Sequence, residues 1–262
     1  MEPEDEVTAF YDAQGRLTTI PNSAEVTENS ADVRSYSNHR YNTNIYMPEE
    51  PAAMMFIGPR GQGKTTAMLA MLDMLDYDNV YIFSPSIDQG KFRELALRVY
   101  RMQRALQEEA GDDTIEVPIY FFDNLEGISN GQFIHNLDPS LHNVVILDDW
   151  VADEGAKKLA FAQLVLNGRP KGVTVLISTQ TFTGLEKKIR DNATHLLFFK
   201  NIAPQDIKRI ARDYVGEMTP VRFLELYNEV SQLPGKPFFM YDKMSNAEPF
   251  RFRANFDGLM SK

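Results

Sequence analysis

The chain contains no cysteine. Disulfides and thiolate metal sites are therefore excluded, and a reducing compartment is allowed. Histidine is scarce as well. His39, His135, His142 and His195 are the four present, and their spacing matches no zinc site. Each reads as an incidental surface or core histidine. No apolar run approaches the ~20 residues that span a bilayer. The N-terminus, Met1-Glu2-Pro3-Glu4-Asp5-Glu6, is acidic where a signal peptide would be basic. The expectation is a soluble, intracellular chain without membrane insertion.

Positive charge is also in deficit, but unevenly. The 262 residues carry a net −10. Residues 1–50 hold −7, residues 51–167 hold −8, and residues 168–262 hold +5. A polyanion would be repelled by the whole and gripped by the last third, where Lys187, Lys188, Lys208, Arg209 and Arg212 form one basic cluster and Arg251 and Arg253 a second. Solvated helix faces would produce the same asymmetry.

The composition divides the chain into three parts. Residues 1–50 read as an acidic arm. Within it Thr8 to Ile20 has the pattern of a hairpin, and residues 21–50, rich in Asn, Ser, Thr, Glu and Tyr, have that of an extended or disordered segment. Residues 51–243 alternate strand-like and helix-like patterns, which implies one α/β domain with a mainly parallel sheet covered by helices on both faces. Strands are expected at Met54–Ile57, Val80–Phe83, Ile119–Phe122, Val144–Leu147, Val173–Ile177, His195–Phe199 and Pro237–Tyr241. Helices are expected at Thr66–Leu75, Lys91–Ala110, Gly155–Leu166 and Pro204–Val230. Residues 244–262 read as a C-terminal tail.

Two motifs carry chemistry. Gly58-Pro59-Arg60-Gly61-Gln62-Gly63-Lys64-Thr65 matches G-x-x-x-x-G-K-[ST], the P-loop or Walker A pattern. Glycines let the backbone fold so that several N–H groups point at phosphate oxygens. Lys64 is placed to reach the β- and γ-phosphates of ATP, and the Thr65 hydroxyl to coordinate Mg²⁺. The helix that follows from Thr66 aims its positive end at the anion. An apolar strand enters the loop and a helix leaves it, as the motif requires.

The second motif is Val144-Val145-Ile146-Leu147-Asp148-Asp149, an apolar strand ending in two carboxylates, the Walker B pattern. The first, Asp148, is placed to hold Mg²⁺ through water. The second, Asp149, is placed to polarise the attacking water. It argues for hydrolysis over phosphoryl transfer to a metabolite. Ser178-Thr179-Gln180 ends the next strand, where Gln180 is positioned to sense the γ-phosphate. A strand-end cap is the alternative.

The order of these motifs resembles the genome-packaging ATPases of nucleocytoplasmic large DNA viruses, the poxvirus type, within the FtsK–HerA superfamily. The resemblance runs over roughly residues 52 to 201. It rests on Gly58 to Thr66, the strand Val80 to Ser84, Leu147-Asp148-Asp149, a helix closing at Gly168-Arg169, Gly172 to Gln180, and Ile189-Arg190-Asp191-Asn192. Pro170 stands where the poxvirus-type pattern has histidine. The resemblance implies a RecA-like core, with the glutamine strand between the P-loop strand and the aspartate strand. It also implies a homo-oligomeric ring, usually of five or six subunits, that pulls double-stranded DNA into a preformed capsid; the expected partner is the viral capsid or a portal vertex, and the expected place the host cytoplasm, the virus factory or the virion. Such rings commonly draw a charge-neutralising arginine from a neighbouring subunit. Arg169, in a Gly-Arg-Pro turn, and Arg190, ten residues after Gln180, are the candidates. Two other readings stay open from the residues alone: a small-molecule kinase, and an assembly protein gated by ATP without translocation.

Overall fold

The computed structural model describes residues 42–125, 128, 133–150, 156–213, 218–245 and 248–260. The hairpin expected at Thr8 to Ile20, and most of the acidic arm, lie outside the described residues.

The described elements run β1 (Ala53–Ile57), α1 (Lys64–Leu72), β2 (Asn79–Phe83), α2 (Gly90–Ala110), β3 (Ile119–Phe122), α3 (Phe133–Asn136), β4 (Asn143–Leu147), α4 (Ala156–Asn167), β5 (Val173–Thr179), α5 (Lys187–Asn192), β6 (His195–Phe199), α6 (Pro204–Asp213), α7 (Pro220–Ser231), β7 (Phe238–Asp242), α8 (Glu248–Arg251), β8 (Phe252–Ala254) and β9 (Gly258–Leu259). The strands form one sheet in the order β3-β2-β4-β5-β1-β6-β7-β8-β9. Pairing is parallel from β3 through β6 and antiparallel from β6 to β9.

The parallel strands are continuous apolar runs because both of their faces are buried. Alternate residues of each strand enter opposite cores. Met55, Tyr81, Val145, Ile177, Leu196 and Phe239 face one. Met54, Ile82, Ile146, Leu176, Leu197 and Met240 face the other. Residues of α4 to α7 cover the first core and residues of α1 and α2 cover the second. Strand β5 lies between β4 and β1, so the glutamine strand does separate the aspartate strand from the P-loop strand.

The structure departs from the sequence reading in two places. The helix expected over Pro204–Val230 is two, α6 and α7. Thr219 accepts from the Arg222 amide at 3.3 Å, and Pro220 follows at the first helical position, so a new helix starts there. The three-part division also shifts. Residues 252–259, read as tail, supply two more strands of the same sheet. Phe252 stacks on Tyr241 at 5.0 Å, and Arg253 is 2% exposed. Its guanidinium donates to the carbonyls of Tyr46 at 2.6 Å and Phe256 at 2.8 Å, tying residues 42–50 to the sheet as well. At the other end of that segment, Asp76 accepts from the amide and hydroxyl of Thr43. Burying a guanidinium is costly unless it is bonded, and these carbonyls together with Asp242 at 3.6 Å supply partners for its two terminal nitrogens.

Candidate functional site

The chain reaches its site by running out of strand. Strands β1, β2, β4 and β5 are parallel and end at the same edge of the sheet, so the segments that follow them crowd together there. After β1 comes the phosphate loop. The Gly58 amide bonds the Thr179 carbonyl at 3.1 Å, which anchors the start of the loop to β5. A side chain at Gly58 would place Cβ 2.7 Å from Cβ of Phe199, so the loop can lie this close to β6 only without one. Gly61 and Gly63 have φ of 77° and 100°, conformations that L side chains rarely adopt. Gly63 is the residue from which α1 starts.

Lys64 is buried, and its ammonium donates to the carbonyls of Gly58 at 2.7 Å and Pro59 at 3.0 Å. Burial pushes its pKa down, while Asp148 and Asp149 pull it back up. The ammonium is thus held over the loop's own concavity, where an anion would replace those two carbonyls as its partner.

The two carboxylates take different positions. Asp148 is 5% exposed and is gripped from both sides. The Thr65 hydroxyl donates to Oδ2 at 2.7 Å, and the Ser178 hydroxyl donates to Oδ1 at 2.5 Å. Burial raises its pKa, and the hydroxyl bonds and Lys64 offset part of that rise. Ser178 in turn accepts from the Asp149 amide at 2.9 Å. One hydroxyl therefore orients both acidic residues. Asp149 has φ of 53°, in the left-handed region, which turns its side chain out of the strand line. There Gln180 donates to Oδ1 at 3.0 Å, and Arg60 donates to Oδ2 at 3.2 Å.

Lys64, Thr65, Asp148, Asp149 and Arg60 line an open cavity of about 440 Å³, and Gln180 reaches its edge through the bond to Asp149. Gly61, Gly63, Lys64, Thr65 and Thr66 form one wall, and Asp148 and Asp149 another. Ser84, Ser86, Gln89 and Lys91, from the end of β2 and the start of α2, close the far side, and Lys236 stands over Gly63. The cavity has a glycine-rich loop at the start of α1, a buried ammonium, and a hydroxyl and a carboxylate 2.7 Å apart. That set fits a nucleoside triphosphate with a hard divalent cation held by oxygen donors, as Mg²⁺ requires.

Of the residues singled out from sequence, Lys64, Thr65, Asp148, Asp149, Gln180 and Arg60 meet here, although the Thr65 and Asp148 that join the two motifs lie 83 positions apart. Arg169 and Arg190 do not. Arg169 follows α4 and precedes β5, which places it at the opposite edge of the sheet. There it donates to the Pro51 carbonyl at 2.9 Å and faces Glu50 at 3.6 Å. Arg190 is 7% exposed, with its guanidinium 4.8 Å from the centre of the Phe182 ring. The second basic cluster is not a surface: Arg253 is core, and Arg251 donates to the Ser245 carbonyl. Ser84, Ser86, Lys91 and Lys236 were not foreseen in the site. The strand-end Ser84-Pro85-Ser86 and the Pro-Gly-Lys-Pro turn around Lys236 were the available signals.

Comparison with known proteins agrees with this geometry. None of the curated proteins matches the chain. Among solved structures, the genome packaging NTPase B204 from Sulfolobus turreted icosahedral virus 2, in complex with sulfate, superposes with a TM-score of 0.51 at 12% identity, over 80% of this chain and 98% of that one. The same protein in complex with AMP gives 0.51 at 14% identity, over the same shares. At such identities the likeness shows a shared fold, that of a P-loop NTPase. The family described as Poxvirus A32 protein matches residues 39–231, which contain the phosphate loop, both carboxylates and the glutamine strand; the chain belongs to that family.

Proposed function

We infer that this chain is a P-loop ATPase that works as the motor of viral genome packaging. The observation that carries the reading is the junction of Thr65, Asp148, Ser178, Asp149 and Gln180 at the mouth of the phosphate loop, in a chain of the A32 family.

Lys64 and the loop amides hold the β- and γ-phosphates of ATP. Thr65 and Asp148 would hold Mg²⁺, with Ser178 keeping the Asp148 carboxylate in place. When bound, that ion supplies charge neutralisation between the β- and γ-oxygens. Asp149 accepts the proton of the attacking water. Each of its oxygens accepts one hydrogen bond, from Gln180 and Arg60, and each keeps a further lone pair for the water. Arg60 is the weaker hold, because its side chain is 72% exposed and an exposed ion pair contributes about 0–1 kcal/mol. Gln180 then keeps the carboxylate aimed.

The substrate that is moved is double-stranded DNA, and the working form is a homo-oligomeric ring at a capsid vertex, at the site of virion assembly in the host cell. Support for DNA contact comes from the first basic cluster. Lys187 pairs with Asp191, Lys188 with Glu186, and Arg209 and Arg212 with Asp213. These are exposed pairs that phosphates can exchange into. Of the two arginines considered as trans fingers, Arg190 is buried and the Arg169 side chain is 32% exposed, so Arg169 is the more accessible to a neighbouring site. Among the described residues, no helix is long and apolar enough to cross a membrane.

The test is ATP turnover with and without duplex DNA. Turnover that requires Mg²⁺ and rises with DNA is expected. Turnover indifferent to DNA would remove the motor and favour an ATP-gated assembly role.

A further inference from the structure

The phosphate cavity has a second lysine that neither motif contains. Lys236 lies in the turn Leu233-Pro234-Gly235-Lys236-Pro237, between α7 and β7. The turn is fixed at both ends. Lys200, just past β6, donates its ammonium to the Leu233 carbonyl at 2.9 Å, and the Phe238 amide donates to Asn255 Oδ1 at 3.2 Å. Gly235, with φ of 78°, makes the bend. The aliphatic stem of Lys236 then lies across Gly63. A Cβ placed on that glycine would meet Lys236 Cδ at 3.0 Å and Cβ at 3.1 Å. The residue lines the cavity together with Lys64, Thr65 and Thr66. Its ammonium makes no hydrogen bond or ion pair with the described residues.

The sheet order decides which part of a nucleotide this lysine meets. Strand β4, which delivers Asp148 and Asp149, is two places from β1 on one side. Strand β7, which begins just after Lys236, is two places from β1 on the other. The attacked γ-phosphate lies toward the carboxylates. Lys236 therefore approaches from the flank away from the attacking water, over the loop glycine whose neighbours cradle the α- and β-phosphates.

Resting on the ATP-site reading above, we propose that Lys236 is a second phosphate-binding lysine, contacting the diphosphate half of the nucleotide. It binds ATP and ADP alike. A contact made equally in substrate and product raises affinity for both without lowering the chemical barrier. Lys64, by contrast, also reaches the phosphate that is transferred. The division gives the site a means of retaining ADP after the γ-phosphate has left, and so of setting how long a subunit stays in its product state.

The experiment compares wild type with Lys236→Met, which keeps the stem over Gly63 and removes the charge, and with Lys236→Arg. Dissociation constants for ADP and ATP are measured by calorimetry, and KM and kcat by steady-state turnover. Lys236→Met is expected to weaken ADP and ATP in parallel by about tenfold or more, the worth of a charge-assisted hydrogen bond. KM should rise, and kcat at saturation should not fall below the wild-type value, because weaker ADP retention can only hasten product release. Lys236→Arg should recover most of the affinity. Unchanged ADP affinity in Lys236→Met would overturn the proposal and leave the residue as a cover for the loop. A fall in kcat at unchanged KM would overturn it too, by moving the contact to the γ-phosphate. If the wild-type protein itself bound neither nucleotide, the ATP-site reading would fail instead. A melting temperature measured without nucleotide separates these results from misfolding.

Discussion

The hydroxyl of Thr65 and the carboxylate of Asp148, 83 positions apart in the chain, share a 2.7 Å hydrogen bond. Thr65 opens α1 and Asp148 follows β4, so this bond closes the gap between the two halves of the phosphate site. These are the two residues that would hold a divalent cation. Ser178, reaching across from the intervening strand to Asp148 Oδ1, gives the pair its rigidity.

The ammonium of Lys64 is buried against its own loop carbonyls and has no substitute at that depth. Lys64→Ala should weaken ATP and ADP binding by about 10- to 100-fold, the range for removing a charged hydrogen bond. Turnover should disappear with it. Calorimetry with each nucleotide checks this, and wild-type affinity in the variant would displace the site.

Asp149 and Arg60 make a paired prediction. Asp149→Asn should bind ATP normally and hydrolyse it about 10²–10⁴-fold more slowly, the usual worth of a general base. Arg60→Ala should leave ATP affinity within a few-fold, because the pair is exposed. Its DNA-free turnover should also stay within a few-fold, since Asp149 keeps its bond from Gln180. A fall in turnover beyond about tenfold would mean instead that Arg60 neutralises charge on the γ-phosphate.

Asp148 links function to stability. Its carboxyl is raised by burial, so the folded chain holds that proton more tightly than the unfolded chain does. Stability from this group is therefore present at low pH. It is lost as pH rises from the unfolded value of 3.8 through the raised folded value. Asp148→Asn carries no such charge. The variant should melt higher than wild type at pH 7, with about 2–4 °C for each kcal/mol relieved. The difference should shrink as pH falls toward the unfolded value, and Mg²⁺-dependent turnover should be abolished. A variant that melts lower at pH 7 would show that the bonds from Thr65 and Ser178 outweigh the buried charge.

Arg169 stands at the sheet edge opposite its own site, so any role in turnover has to be exercised on a neighbour. Arg169→Ala alone should bind ATP and fail to hydrolyse it. Mixed with Asp149→Asn subunits, it should regain part of the turnover, because some interfaces then join an intact site to an intact arginine. Co-assembly without rescue would reduce Arg169 to its bond with Pro51 and its ion pair with Glu50.

DNA affinity should fall steeply with salt. Replacing Lys187, Lys188 and Lys208 by Gln should lower the slope of log K against log salt by about 0.9 for each phosphate that is no longer neutralised. The second cluster offers a contrast. Arg251→Gln should leave the slope unchanged, because that guanidinium is committed to the Ser245 carbonyl. An unaltered slope in the triple variant would make the first cluster a solvated surface.

Local chemistry determined much of this molecule from the sequence alone. The glycines of residues 58–63 and the Lys64-Thr65 pair specify a phosphate loop wherever they occur between a strand and a helix. The unbroken apolar runs at Val144–Leu147 and Val173–Ile177 specify buried parallel strands, because only strands covered on both faces tolerate such runs. Both carboxylates and Gln180 were legible because each ends such a strand. Tertiary structure decided the rest. Ser178 is an ordinary strand-end serine until the pairing of β4 with β5 sets it beside Asp148. Arg253 reads as a surface cation, yet the pairing of β8 with β7 carries it into the core beside Asp242. Arg169 and Arg190 follow the Asp149 and Gln180 strand ends closely in sequence, yet one lies at the far sheet edge and the other in the core, because the helices after β4 and β5 return the chain toward that edge. Lys236 carries no motif at all. It enters the site because an antiparallel strand begins there, two places from the phosphate loop, and that adjacency exists in the sheet and nowhere in the order of residues.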